Sequence, residues 1–193
     1  MLSRVMFSLR FFIVHRFGIK RVVTSESFDH LWDITLREIE ERCVSVIILD
    51  FDGVLAPDGY YSPVKKAEDW LSGLSMEARN IKFFVLSNKP MKEREDYFSF
   101  KFPNLKFVKG VRKKPYPDGI NSIIDAEGVS RSQVLIVDDR LMTGILAAEI
   151  ANINSIFIQK PLIDFHGNFF NELAFFLLRK IDAILLSCLC HFR

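Results

Sequence analysis

The segment VIILDFDGVLAPDG, residues 46–59, decides how this 193-residue chain folds. Residues Val46–Leu49 are uninterrupted aliphatic side chains, which is typical of a strand buried on both faces of a parallel sheet. That strand leads directly into Asp50 and Asp52, two carboxylates with one residue between them. Like charges at this spacing repel each other and lose hydration energy on burial unless a positive group lies close by. The rest of the sequence must therefore supply something that neutralises them.

Short apolar runs recur along the chain and alternate with segments that begin like helices. The runs lie near residues 44–50, 81–87, 105–109, 133–138 and 154–159. Pro63, Pro90 and Pro117 stand early in the intervening segments, where proline is tolerated because the first N–H groups of a helix have no intrahelical partner. Strands that alternate with helices favour a parallel sheet with right-handed crossovers. We therefore expect an α/β fold with a single open parallel sheet of about five strands and helices on both faces.

Composition predicts one globular domain that follows a distinct N-terminal arm. Apolar residues make up 49% of the chain and charged residues 26%, and the net charge of +2 gives no reason to expect nucleic acid as a partner. Thr35 and Glu38 have the spacing of a helix capping box, inside a segment from Ser27 to Arg42 with helical periodicity. We expect an arm over residues 1–25 and a single domain over residues 26–193.

The arm is basic and rich in large apolar residues, with no acid before Glu26. Arg10 interrupts its apolar run, which leaves it too short and too charged to span a membrane. Such a segment packs on the domain, lies on an anionic membrane surface or directs the chain to an organelle, and the sequence leaves all three open. Three cysteines are too few for a disulfide framework and favour a reducing compartment. We expect a cytoplasmic location, or peripheral contact with an inner membrane surface through this arm.

Polar side chains follow four of the apolar runs, at the points where the predicted strands end. They are Asp50 and Asp52, Ser87 and Asn88, Lys113 and Lys114, and Asp138 and Asp139. The carboxyl ends of parallel strands meet at one edge of an open sheet, and ligands bind there. We therefore expect these four pairs to converge on a single rim.

The residue types on this rim indicate phosphate chemistry. Several carboxylates gathered together need a divalent cation, and an all-oxygen ligand set suits Mg²⁺ better than zinc. A phosphoryl group needs hydroxyl, amide and cationic donors, which Ser87, Asn88 and Lys114 provide. A carboxylate also serves as the nucleophile in enzymes that form an aspartyl phosphate. The expected substrate is therefore a phosphate ester, and the expected cofactor is Mg²⁺.

Four motifs of the chain resemble, in order, those of haloacid dehalogenase-type phosphohydrolases. They are ILDFDGVL, FVLSNKP, the pair Lys114-Pro115 and VLIVDDRLMTG, and the resemblance covers about residues 44–160. It implies that Asp50 is the nucleophile that attacks phosphorus and that Asp52 is the general acid and base. It also implies that Ser87 binds the transferred phosphoryl group and that Lys114 holds this group and the nucleophile together.

The same resemblance implies a Mg²⁺ site made by Asp50, Asp139 and the backbone carbonyl of Asp52. The spacing to Thr143 aligns Asp139 with the acid of the fourth motif, while Asp138 occupies a position where glycine is usual. Asp138 is therefore expected to support the direct metal ligands without binding the ion itself. Asp139 is expected to contribute more to metal binding than Asp138.

The finer resemblance is to an uncapped branch of the family that includes phosphatidylglycerophosphate phosphatases. The segments SIFIQKPLIDF and ELAFFLLRK are similar to the ending of those proteins. Two departures are that Gly144 stands in place of a second acid in the fourth motif and that DGV replaces DNT in the first. Both connections where a cap domain could be inserted are short, so no large cap is expected.

These observations predict a Mg²⁺-dependent phosphomonoesterase that acts through an aspartyl-phosphate intermediate. A lipid phosphate such as phosphatidylglycerophosphate is the leading substrate class, and a soluble sugar-acid phosphate is the alternative. A non-catalytic binding module of the same fold is a further alternative of a different class. The sequence leaves the oligomeric state open.

Overall fold

The computed structural model describes residues 2–78 and 80–191 of the chain. Its centre is a six-stranded sheet in the order β1-β6-β5-β2-β3-β4. The strands are β1 Ser27–Phe28, β2 Val46–Leu49, β3 Lys82–Val85, β4 Leu105–Phe107, β5 Val134–Asp138 and β6 Asn154–Ile158. The helices are α1 Leu2–Ser25, α2 Leu36–Glu41, α3 Lys65–Glu77, α4 Lys92–Lys101, α5 Asp118–Glu127, α6 Leu146–Ala151 and α7 Phe169–His191. Two 3₁₀ turns lie at Leu31–Asp33 and Arg131–Gln133, and a π-helical turn, Leu141–Ile145, precedes α6.

The predicted α/β fold is confirmed, and every strand pair in the sheet is parallel. The five apolar runs form β2 to β6, while the sixth strand, β1, was not expected. The predicted helix from Ser27 to Arg42 is wrong in its first half, because Ser27 and Phe28 pair with Phe157 and Ile158 at the edge of the sheet. Backbone pairing and the packing of Phe28 against the core outweigh the local helical periodicity there.

Helix α2 begins at the predicted capping box. The backbone N–H of Glu38 donates to Thr35 Oγ1 at 3.3 Å, and the backbone N–H of Thr35 donates to Glu38 Oε2 at 2.7 Å. A cap of this kind stabilises a helix by about 1 kcal/mol. The helix therefore begins after Thr35, while the segment before it contains the two residues of β1 and the 3₁₀ turn Leu31–Asp33.

Helices cover both faces of the central strand β2, as its unbroken apolar sequence predicts. Ile47 packs on one face with Leu71 of α3 and Phe98 of α4. Ile48 packs on the other face with Ile120 of α5 and with residues of α6. Each fully buried side chain of this size contributes about 1.5–3 kcal/mol relative to an exposed one. This burial on both sides fixes β2 at the middle of the sheet, and with it the carboxylates that follow the strand.

The two terminal helices pack on each other and against α6. Phe12 and Ile19 of α1 and Leu186 of α7 share a buried cluster with Leu141 and Leu146. In the described part of the chain no cap domain is inserted between the strands, as expected. No helix among residues 2–78 and 80–191 has the length and apolar character needed to cross a membrane.

Candidate active site

Lys114 is the positive group beside Asp50, the first of the two opening carboxylates, and it also contacts Asp138. Its Nζ lies 3.0 Å from Asp50 Oδ1 and 2.5 Å from Asp138 Oδ2, and its side chain is only 1% exposed. Burial lowers the pKa of Lys114, but the charges of Asp138 and Asp50 outweigh burial and raise its pKa overall. The ammonium group therefore stays charged between two acids that come from neighbouring strands, β2 and β5.

Three buried carboxylates of the rim lie close together. Asp50, Asp138 and Asp139 offer oxygens that all lie within 4.8 Å of one another. Burial raises the pKa of Asp50 to about 7, against the opposing charge of Lys114 and with a further increase from the charge of Asp138. Burial also raises the pKa of Asp138 and of Asp139. Lys114 and Arg179 of α7 place two cations against these three carboxylates, so one acidic group is left in excess, which favours a bound cation.

The donor set fits Mg²⁺, for which Asp50 and Asp139 are the expected direct ligands. Asp139 Oδ1 is buried and has no hydrogen-bond partner, so it is a free carboxylate oxygen inside an all-oxygen cluster. Both oxygens of Asp138 are already engaged, Oδ2 by Lys114 and Oδ1 by the backbone N–H of Arg140 at 2.9 Å. Asp138 therefore lies behind the expected ligands and orients Lys114.

The two departures from the fourth motif, glycine at position 144 and an acid at position 138, are linked in the structure. A Cβ atom on Gly144 would lie 1.8 Å from Asp138 Oδ2, so no side chain fits there while Asp138 holds its position. The acid that the motif places at position 144 is thus replaced in space by the carboxylate of Asp138. The rim keeps its acidic character with the acid on a different element.

Asp52 lies beside a cation that the sequence did not single out. Arg94 of α4 binds Asp52 with two hydrogen bonds, Nη2 to Oδ1 at 2.6 Å and Nη1 to Oδ2 at 3.1 Å. The Arg94 side chain is fully buried, stacks 3.8 Å from the centre of the Phe51 ring and donates from Nε to the carbonyl of Tyr60. Bidentate geometry of this kind holds a carboxylate in one orientation. The Asp52 carboxylate therefore points to Arg94 rather than into the three-acid cluster.

Ser87 and Asn88 lie on the rim as predicted, with different surroundings. Ser87 Oγ is 3.4 Å from Asp52 Oδ2 and accepts the backbone N–H of Lys89 at 3.0 Å. The Asn88 amide pairs with the backbone of Lys114 in both directions, accepting its N–H at 2.7 Å and donating to its carbonyl at 3.2 Å. Asn88 thus positions the lysine, and its contact with a phosphate stays a prediction.

Arg179 brings the C-terminal helix α7 into the site. Its Nε donates to Asp139 Oδ2 at 2.5 Å, and its buried Nη1 has no hydrogen-bond partner. A Cβ atom on Gly53 would lie 2.7 Å from Arg179 Nη2, and Gly53 also has a φ of +92°, so glycine is required there on both counts. In the sequence, Arg179 is marked only as a basic residue within an apolar segment. That segment was related to the C-terminal part of the uncapped family branch, but its arginine was not predicted to contact the metal site.

A cavity of about 520 Å³ adjoins this rim. Its polar lining includes Asp50, Asp52, Asn88, Lys113 and Arg179. Helices α1 and α7 supply most of its apolar lining, which includes Val5, Leu9, Phe175, Leu178, Ile181 and Leu185. Although the described residues include no cap domain, the rim is partly covered, because α1 and α7 help to enclose the cavity beside it.

No protein-family model and no curated protein matches the chain. Solved structures similar to it include an uncharacterized protein from Listeria monocytogenes serotype 4b, with 16% identity over 63% of this chain and 83% of that one and a TM-score of 0.49. A hypothetical protein from Xanthomonas campestris has 21% identity, coverage of 69% and 75%, and a TM-score of 0.49. A haloacid dehalogenase-like family hydrolase from Streptococcus pneumoniae has 12% identity, coverage of 63% and 88%, and a TM-score of 0.44.

The last of these titles names the same family that the four motifs resemble. At these identities and TM-scores the similarity carries no inference about activity.

We predict that Asp139 contributes more to Mg²⁺ binding than Asp138. Asp139→Asn should weaken Mg²⁺ binding by about tenfold or more, because it removes charge from the carboxylate that has a free oxygen. Asp138→Asn should weaken it less, because both oxygens of that side chain are held by Lys114 and Arg140. Isothermal titration of each folded variant with Mg²⁺ measures the difference. Equal losses of affinity would contradict this assignment.

We predict that Arg179→Gln strengthens Mg²⁺ binding. The guanidinium group competes with a cation for Asp139, so its removal should lower the dissociation constant by about three- to tenfold. Lys180→Gln is the matched control, since it removes the same charge from the next residue of α7, which is exposed. The same titration distinguishes the two variants. A weaker Mg²⁺ affinity in Arg179→Gln than in Lys180→Gln would mean that Arg179 supports the site instead of competing for it.

Proposed function

We propose that this chain is a Mg²⁺-dependent phosphomonoesterase of the haloacid dehalogenase type, with Asp50 as nucleophile. The observation that carries the proposal is the position of Asp50 in the three-acid cluster, paired with Lys114 and bordering the cavity. Asp139 Oδ1 has no protein partner in the same cluster. A nucleophilic carboxylate, a fixed cation and a free ligand oxygen are what attack on a phosphate ester requires.

Asp50 is oriented for attack by two donors on the same oxygen. Its Oδ1 accepts from Lys114 Nζ at 3.0 Å and from the backbone N–H of Phe51 at 2.8 Å, which leaves Oδ2 for attack on phosphorus. In the first step the bond from Oδ2 to phosphorus forms and the bond from phosphorus to the ester oxygen breaks. Asp50 and Asp139 would hold Mg²⁺, which would supply positive charge to offset the phosphoryl oxygens. Lys114 holds the nucleophile in place throughout.

Asp52 is the group that moves protons in both steps. It gives a proton to the departing ester oxygen, and then takes one from the water that attacks phosphorus and releases Asp50 with inorganic phosphate. The bidentate contact with Arg94 holds the Asp52 carboxylate in one orientation. Ser87 and the unpartnered Nη1 of Arg179 are the remaining donors for the phosphoryl oxygens.

The lining of the cavity supports an amphiphilic phosphate ester as the substrate class. The reacting groups lie at the rim, while Leu9 of α1 and Leu178 of α7 belong to the apolar lining. A hydrocarbon chain gains about 0.8 kcal/mol for each CH₂ group buried against such a surface, whereas a sugar-acid phosphate has no group that uses it. A lipid phosphate such as phosphatidylglycerophosphate therefore fits this lining better than a soluble sugar phosphate.

We predict that Asp50→Asn abolishes phosphate release while the protein stays folded. The amide is a poor nucleophile and a weaker metal ligand, so turnover should fall by about a thousandfold or more. Phosphate release from p-nitrophenyl phosphate with Mg²⁺ measures this, and chelation of Mg²⁺ should silence the wild-type protein as well. Asp125→Asn, at an exposed acid of α5, is the matched control and should retain full activity.

A substrate panel then separates the two phosphate classes. It compares phosphatidylglycerophosphate in mixed micelles with a sugar-acid phosphate, each with the wild-type protein and with Asp50→Asn. The proposal requires kcat/KM to be higher for the lipid phosphate. Activity that persists in Asp50→Asn would refute the catalytic assignment, and a preference for the sugar phosphate would refute the substrate class alone.

A further inference from the structure

The outward faces of α1 and α7 form an apolar surface that nothing in the described structure covers. We call it the terminal-helix face. Its exposed large apolar residues are Val5, Met6, Leu9, Ile13, Val14 and Phe17 on α1, and Phe169, Phe170, Leu173, Phe176, Leu177, Leu178, Ile181 and Ile184 on α7. Fourteen of the nineteen exposed large apolar side chains among the described residues thus lie on two helices that contact each other. Scattered apolar residues are normal on a protein surface, but a concentration of this kind marks a binding surface.

The exposed residues form one stripe along each helix. On α1 they recur at Val5, Leu9, Ile13 and Phe17, one turn apart, while Phe12 and Ile19 are buried against α6 and α7. The helix α1 is therefore apolar on two sides, one that serves the core and one that faces outward. Packing inside this domain accounts for the first side only.

Charge on the two helices is divided by sign. Helix α1 has no acid, and both acids of α7 point inward. Glu172 is 0% exposed and accepts the backbone N–H of Asp58, and Asp182 is 2% exposed and pairs with Arg140. Of the basic residues on the two helices, Arg179 points inward to Asp139, whereas Arg10, Lys20, Arg21 and Lys180 are exposed. The terminal-helix face therefore combines exposed apolar stripes with exposed charges of one sign.

We propose that the terminal-helix face is a docking surface for a lipid bilayer that contains anionic lipids, with both helices lying in the interface. Apolar stripes flanked by basic residues are the pattern of helices that bind at the boundary of headgroups and acyl chains. A second copy of the chain is a poorer occupant, because two identical cationic faces would repel each other. Insertion across the bilayer does not apply, since neither helix has the character of a membrane span.

The docking surface adjoins the catalytic cavity. Val5 and Leu9 of α1 and Leu178 and Ile181 of α7 are exposed on the terminal-helix face and also belong to the cavity lining. A bilayer on this face would therefore meet the side of the cavity that the apolar residues form. This link between docking and substrate access rests on the proposed function, whereas the docking surface itself does not.

Flotation of the full chain with lipid vesicles tests the proposal. Vesicles of phosphatidylcholine alone are compared with vesicles that also contain phosphatidylglycerol, at moderate salt. The wild-type protein should bind the anionic vesicles at least about tenfold more strongly than the neutral ones. The double variant Ile13→Glu/Ile184→Glu changes one exposed residue on each helix outside the cavity and should lose this binding. Phe100→Glu, at a side chain of α4 that is 91% exposed, is the matched control and should bind like the wild type.

Two further readouts keep the outcomes distinct. Hydrolysis of p-nitrophenyl phosphate should be unchanged in Ile13→Glu/Ile184→Glu, so lost vesicle binding with retained hydrolysis supports the docking surface alone. Light scattering after size-exclusion chromatography reports self-association. Equal vesicle binding by the wild type and the double variant would overturn the proposal. A wild-type dimer that the double variant converts to a monomer, without vesicle binding by either, would overturn it in favour of a second copy.

Discussion

The site depends on one ammonium group held between two buried carboxylates. Parallel pairing of β2 with β5 places Asp50 and Asp138 at adjacent strand ends, where their charges would otherwise repel each other in a dry environment. Lys114 contacts both carboxylates, and its backbone is held by two hydrogen bonds with the Asn88 amide, one in each direction. Lys114 thereby connects Asp50, the proposed nucleophile, with Asp138 and with the loop before α5. Gly144 leaves the space that Asp138 fills.

The other two acids of the rim have their own cations, and these come from helices. Arg94 of α4 holds Asp52, and Arg179 of α7 holds Asp139. The ion pairs of Lys114, Arg94 and Arg179 thus connect the strand ends with α4 and with the C-terminal helix α7. Helix α7 also carries part of the terminal-helix face, which is proposed to meet a bilayer. Arg179 therefore connects the helix of that surface with Asp139, the expected metal ligand. On α7, Arg179 contacts Asp139, while Leu178 and Ile181 belong both to the cavity lining and to the proposed docking surface.

The sequence predicted those parts of the fold that follow from local pattern. Unbroken apolar runs identified β2 to β6, and strand ends identified the rim, because the position of a residue after a parallel strand determines where it lies. Local pattern did not identify Arg94, which lies in the charged segment KERED of α4 with nothing to distinguish it from its neighbours. It also missed the edge strand β1, whose residues Ser27 and Phe28 are extended only because β6 pairs with them. The contribution of α1 and α7 to the cavity depends on contacts between helices at the two ends of the chain. Residue spacing within a segment does not predict such long-range contacts.

The most direct test of the account is a double-mutant cycle on Lys114 and Asp138, measured as the free energy of unfolding in urea. Lys114→Met alone should cost about 3–5 kcal/mol, because it leaves Asp50 and Asp138 buried without their cation. Adding Asp138→Asn should recover part of this loss, with a coupling energy of about 1–3 kcal/mol. If the two effects add to within about 0.5 kcal/mol, Lys114 does not neutralise the rim, and the account of the site is wrong.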